Sequence, residues 1–293
     1  MQHQALQTYL NQLQHHTQTE VASNFWLDEQ GRARGRYVNA SLTSAFQAIR
    51  SGDDNQIIAY EAYARSYSAD ELGLNVWKLL DYAASDDESV ALDRLCRLLH
   101  AINFFRQPES QQLALYLSVH SRLLAAVAGN HGMAFRRVLD ALELPHQSIV
   151  LQLPLITPSQ RWVLTHVAEN YKRNGFRVGA NAANLAQALD VLARIRPTSI
   201  KLDIEQTAAD TPRLSQLLEQ AEAQDCRIIF KRIATEREFS QLQNTLSGSA
   251  KPYQVQGFLF DRPKASLGPQ HYARAYAFAH EQLLATSEAQ VGG

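Results

Sequence analysis

The sequence predicts an α/β protein folded as a single (β/α) barrel, and three observations carry that prediction. About seven strand-like segments alternate with helical ones over roughly 230 residues, the pattern of a parallel sheet wrapped by helices. Within that run, Arg177–Asp203 reads as strand, helix, strand. An apolar segment near Phe176–Gly179 is followed by Leu185, Leu189, Leu192 and Ile195 at helical spacing, then by Ser199–Leu202. Two strands joined through a helix run parallel. Finally, no composition shift, internal repeat or low-complexity block marks a linker, and 293 residues with 45% hydrophobic content can bury one large core.

In chain order, residues 1–16 are polar with Leu6, Leu10 and Leu13 on one face, the pattern of a short amphipathic helix that docks on the body or on a partner. The adjacent His15 and His16 do not share a helix face and read as a solvated terminus. Phe25-Trp26 opens a region in which the turn-forming Asp28–Gly31 separates two short strands. Phe46–Ile49 and Gln56–Tyr60 flank the turn formers Ser51–Asn55, so a β-hairpin is expected, with the second strand continuing through Arg65. Alternation then puts Glu61, Tyr63 and Arg65 on one face, directed to the interior or to a site.

Helices are expected at Ala69–Ala84 and Asp87–Phe105, the second opening on acidic residues that suit a helix N-terminus. Further strands are expected at Ala114–Val119, Ser148–Leu153, Phe176–Gly179, Ser199–Leu202, Arg227–Lys231 and Val255–Phe260. The helices between them fall at about 121–129, 134–142, 158–173, 184–194, 211–223 and 235–246, with a last one at about 270–286. The expected organisation is an N-terminal helix and extension over 1–41, a barrel over 42–286 and a frayed tail over 287–293.

Composition excludes several classes of function. With 28 basic and 29 acidic residues the formal net charge is −1, so no global field recruits nucleic acid or an anionic membrane. Cys96 and Cys226 stand far apart in apolar periodic segments, which argues against a disulfide framework or a cysteine metal cage. No apolar run approaches the ~18–20 residues needed to span a bilayer, and the Gln/His-rich start lacks the apolar centre of a signal peptide, so a cytoplasmic protein is expected. There is no glycine-rich phosphate loop, G-x-S-x-G or H-E-x-x-H, and His100, His131, His146 and His166 lack ligand spacing.

In a (β/α) barrel the chemistry collects at the C-terminal ends of the strands. Those positions hold Glu61 and Arg65, Ser118 to His120, Gln152, Ala180 and Asn181, Lys201 and Asp203, Lys231 and Arg232, and Gln256. Metal-assisted phosphodiester hydrolysis needs several carboxylates converging there to hold hard divalent cations. This set supplies few carboxylates and two lysines.

In this order, the same segments resemble the EAL family of cyclic di-GMP phosphodiesterases over roughly residues 42–275. Phe46-Gln47-Ala48-Ile49 is similar to the family's opening Q-P-I segment, and Glu61-Ala62-Tyr63-x-Arg65 to E-A-L-x-R. Leu117–Leu124 resembles the N-V-S-P-R-x-L strand end, and Gln152-Leu153-Pro154 stands where the family has E-I-T-E. Ala180-Asn181-Ala182-Ala183 replaces D-D-F-G, Lys201-Leu202-Asp203 resembles K-I-D, and Phe230–Thr235 takes the A-E-G-V-E-T place. Gln256–Phe260 with Pro263 is similar to the closing Q-G-Y-x-F and proline. The resemblance implies a TIM-like barrel of the EAL type with an extra N-terminal segment.

It also implies where the family holds its metals: here Glu61, Ser118, Gln152, Ala180, Asn181 and Lys231. One strong ligand survives, so no catalytic metal centre and no cofactor is expected. The aligned places put Lys231 near Glu61, where its ammonium is expected to neutralise the carboxylate in the metal's stead. Two modes of action follow, and a third, residual cyclic di-GMP hydrolysis, is disfavoured by the missing ligands. The first is a catalytically inactive regulator that contacts another protein, as degenerate family members do; homodimers are common in the family. The second is a receptor that binds cyclic di-GMP uncut through Gln47, Glu61, Tyr63, Arg65, Lys201, Asp203 and Gln256, with Arg65 pairing a phosphate and Tyr63 offering a stacking face.

Overall fold

A computed structural model of the chain describes residues 24–37, 40–67, 85–121, 131–155, 160–206, 210–247 and 251–268. The expected helices at 1–16, 69–84 and 270–286, the tail after 287 and nearly all of the helix at 121–129 lie outside the described residues.

The alternation seen in the sequence becomes one ten-stranded sheet in which eight strands, the third to the tenth in chain order, close on themselves. In chain order the strands are β1 Phe25–Leu27, β2 Ala33–Tyr37, β3 Ala40–Ser51, β4 Ile57–Tyr67, β5 Ala114–Ser118, β6 Ile149–Leu153, β7 Arg177–Asn181, β8 Ser199–Asp203, β9 Arg227–Lys231 and β10 Gln254–Val255. The expected hairpin is β3–β4, paired antiparallel from Ser41–Tyr67 to Arg50–Ile57 around a turn in which Asn55 takes a positive φ of 58°. From β4 onward the neighbours β4 to β10 run parallel, and β10 meets β3 antiparallel to close the ring. β1 and β2 extend the sheet outside it as an antiparallel ribbon on the start of β3.

The described helices are α1 Asp86–Phe105, α2 His131–Ala141, α3 Arg161–Arg173, α4 Leu185–Ile195, α5 Thr211–Ala223 and α6 Glu236–Leu246. Their starts follow capping chemistry. Ser85 and Glu88 form a reciprocal capping box on α1, Thr235 and Glu238 form another on α6, and the side chains of Asn184 and Asp210 accept from Gln187 N and Arg213 N on α4 and α5. Alternation sorts the strand residues into two apolar layers. The larger lies between sheet and helices; the smaller, of Ile49, Ala59, Ala114, Tyr116, Val150 and Ile229, plugs the barrel lumen below the site.

One strand departs from expectation. Val255–Phe260 was expected as a strand, but β10 stops at Val255, and Phe260 N and Asp261 N turn back onto Gly257 O. Gly257 explains the break: a Cβ there would lie 1.9 Å from Ile233 O, so the chain crosses the loop after β9 at a separation only glycine allows. Among the described residues no helix is long and apolar enough to cross a membrane. Both cysteines are free thiols, and burial raises their pKa, that of Cys226 to about 12, so neither is a reactive thiolate at neutral pH.

Candidate functional site

The parallel strands deliver their C-terminal ends to one mouth, which opens into a cleft of about 800 Å³. Of the residues singled out above, Gln47, Glu61, Tyr63, Arg65, Ser118, Asn181, Lys201, Lys231 and Gln256 line it. Arg232, Phe258 and Pro263 line it as well.

The floor is a buried charge pair. On β4, Glu61 Oε2 accepts from Lys201 Nζ at 2.9 Å, Tyr63 OH at 2.6 Å and Gln256 Nε2 at 2.8 Å. Lys201 is only 1% exposed; it also donates to Gln256 Oε1 at 3.1 Å and lies 4.9 Å from the centroid of the Tyr116 ring. The Gln256 amide is thereby oriented, its oxygen toward the ammonium and its nitrogen toward the carboxylate and Gln47 Oε1. Burial pushes the Glu61 carboxyl up, but Lys201 and the hydrogen bonds from Lys201, Tyr63 and Gln256 more than reverse this and hold it below its ordinary value. Burial and the neighbouring Glu61 raise the Tyr63 phenol far above its usual range, so it stays protonated and donates.

The expectation that Lys231 would pair with Glu61 is therefore corrected: Lys201 is the cation on Glu61. β8 and β4 stand opposite one another in the ring, so the long Lys201 side chain spans the lumen to reach the carboxylate. Lys231 is engaged elsewhere, 3.2 Å from Asn181 Oδ1 and 3.3 Å from Asp203 Oδ1. Arg232 reaches the other oxygen of Asp203 at 3.1 Å. Asp203, at the end of β8 beside Lys231, thus pairs with two cations of the β9 end. Arg65, on the opposite wall, donates to the neutral Pro263 carbonyl at 2.7 Å.

Two of the expected former metal positions do not line the cleft. Ala180 is wholly buried in the layer between sheet and helices, because a strand alternates its faces and Asn181 takes the inward place. Gln152 is 1% exposed and lies over Gly179, where a Cβ would come within 2.4 Å of its Oε1; neither of its amide atoms has a hydrogen-bond partner.

This donor set does not fit divalent cations. Hard ions need several oxygen ligands, largely carboxylate. Here the one carboxylate on the floor has its Oε2 taken by three donors, Asn181 Nδ2 is spent on Leu153 O at 3.0 Å with its oxygen turned to Lys231, and Lys231 brings a positive charge. Among the described residues no three His, Cys, Asp or Glu side chains gather as a metal site.

An α/β barrel with its site assembled at the strand ends is the class that fold and cleft define. Residues 32–263 match the family model of the EAL domain, and the chain belongs to that family. Comparison by sequence with curated proteins finds no match. Among solved structures it is similar to the Bacillus subtilis YkuI protein, which has an EAL domain and is described in complex with its substrate cyclic di-GMP and calcium. There the TM-score is 0.65 at 14% identity, covering 85% of this chain and 62% of that one. A standalone EAL protein from Vibrio cholerae, in its cyclic di-GMP-bound form, gives a TM-score of 0.58 at 17% identity over 79% and 96% of the two chains. Klebsiella pneumoniae BlrP1, with manganese and cyclic di-GMP, gives 0.61 at 18% identity over 84% and 62%. At these identities the likeness is one of fold, and this chain spans under two thirds of the length of YkuI and BlrP1.

Proposed function

We propose that this chain is a catalytically inactive EAL-family regulator that works by binding and not by hydrolysis. One observation carries the reading: each carboxylate at the strand ends is already held by a lysine, Glu61 by Lys201 and Asp203 by Lys231. At an effective dielectric of ~20, an ammonium ~4 Å from a divalent ion is disfavoured by about 8 kcal/mol, enough to empty a site with so few anionic ligands. Without bound metal there is no activated hydroxide for in-line attack on a phosphodiester. The output is then contact with a regulatory protein, and Trp162, 69% exposed on α3, is the kind of aromatic that anchors such contacts. The test is incubation of the full chain with cyclic di-GMP and Mg²⁺ or Mn²⁺, followed chromatographically. The linear dinucleotide is expected to stay at background.

A second reading is favoured by the charge of the cleft: the mouth keeps cyclic di-GMP as an uncut ligand. Arg65, Lys201, Lys231 and Arg232 face two carboxylates, Glu61 and Asp203, leaving a surplus of two positive charges. A cyclic dinucleotide carries two phosphodiester charges, which match that surplus. Calorimetric titration with cyclic di-GMP tests it. Saturable binding at micromolar concentration or below supports a receptor, and no heat at millimolar ligand removes it.

A further inference from the structure

Six non-glycine residues among those described have positive φ, and five of them, Asn55, Gln112, Glu143, Arg196 and Asp225, close a hairpin, a helix or a helical turn, where that backbone is an ordinary way to end an element. The sixth is Arg232, at φ 67°, directly after β9 and on the cleft wall. Glycine adopts this conformation freely and arginine does so at a cost. The strain carries a side chain that is three-quarters exposed and held by a single contact, Arg232 Nη1 donating to Asp203 Oδ2 at 3.1 Å. Next to it, Lys231 donates to one acceptor, Asn181 Oδ1, which is fixed because the Asn181 nitrogen is tied to Leu153 O, and lies in ion-pair range of Asp203 Oδ1 at 3.3 Å.

We infer that Lys231 and Arg232, spread across the carboxylate of Asp203, form a metal-independent clamp for a phosphodiester group on the β9 wall of the cleft. Two cations on one carboxylate leave a net positive charge at a fixed place. The guanidinium offers paired donors to phosphate oxygens, and the ammonium offers a point charge. Asp203 serves as a positioning residue that holds the pair apart in the free protein. The inference rests on the receptor reading and goes beyond it by assigning charge neutralisation at one phosphodiester to these two side chains.

The experiment is calorimetric titration of the full chain with cyclic di-GMP in EDTA, at low and high salt, for the unaltered protein, Arg232→Gly, Lys231→Gln and Lys231→Arg, with thermal unfolding of each free protein. Binding that persists in EDTA and weakens with salt is expected. Arg232→Gly and Lys231→Gln should each weaken it about tenfold or more, the loss expected for a charged hydrogen-bond donor to phosphate, while Lys231→Arg retains it. Arg232→Gly should also raise the unfolding temperature of the free protein, so that stability and affinity move in opposite directions, which loss of a merely structural residue does not produce. Binding unchanged in both Arg232→Gly and Lys231→Gln, or binding that requires Mg²⁺, overturns the clamp and leaves the receptor reading standing. No binding by the unaltered protein overturns both.

Discussion

Two cation–carboxylate arrangements sit in one cleft and differ in almost every physical respect. On the floor, Glu61 and Lys201 are nearly dry, matched one to one, and surrounded by oriented donors and acceptors. At the rim, Asp203 is shared between Lys231 and the exposed Arg232, and positive charge is left over. The floor pair is charge-matched, with Glu61 Oε2 taken by three donors, whereas the rim leaves positive charge unmatched and carries it on the exposed Arg232. On the proposed reading the floor belongs to the architecture of the barrel and the rim to recognition.

The largest expected effect breaks the floor. Lys201→Met leaves Glu61 buried with no countercharge and should cost about 3–5 kcal/mol of unfolding free energy in urea, whereas Lys201→Met combined with Glu61→Gln should recover most of that loss. Equal losses in the single and double variants would show that the pair is not the unit that matters.

Next comes a buried group of the opposite kind. His100 on α1 is buried and uncharged, with Nδ1 at 2.8 Å from Ser44 Oγ, and burial lowers its pKa from 6.5 to about 3. Because the folded value is the depressed one, its contribution is fully present above pH 6.5 and is lost as pH falls from there toward 3. Linkage gives a loss of about 2 kcal/mol by pH 5, which His100→Gln should remove from the pH profile. The floor pair follows the same sign at lower pH: Glu61 is held below its ordinary value, so its contribution is present above that value and is lost only as pH falls through the folded pKa. A stability curve flat from pH 7 to 5 would contradict the account of His100.

The smallest effect belongs to the rim. Arg232→Gly relieves a left-handed arginine but gives up an exposed ion pair and frees the unfolded chain, for a net gain of roughly 0.5–1 kcal/mol measured in urea. A loss of stability would mean that the Asp203 contact outweighs the backbone strain.

How much of this was legible in the sequence follows from what is local and what is not. Strands β4 to β9 and the described helices were readable because their apolar periods differ and their starts carry Ser85, Asn184, Asp210 and Thr235 as caps. The set of residues at the strand ends was readable for the same reason. The partner of Glu61 was not, since ring closure sets Lys201 opposite it and no spacing along the chain encodes that. Ala180 was placed in the site although only Asn181 faces it, a matter of one residue in a period of two. Arg232 was visible as a strand-end residue, but its positive φ, which marks it out, belongs to the backbone alone.

The proposed replacement of catalytic metal by side-chain cations predicts no turnover. Full-length protein at high concentration, with cyclic di-GMP and saturating Mg²⁺ or Mn²⁺, should release linear dinucleotide no faster than buffer does. Release that depends on the metal and stops with EDTA would contradict the account.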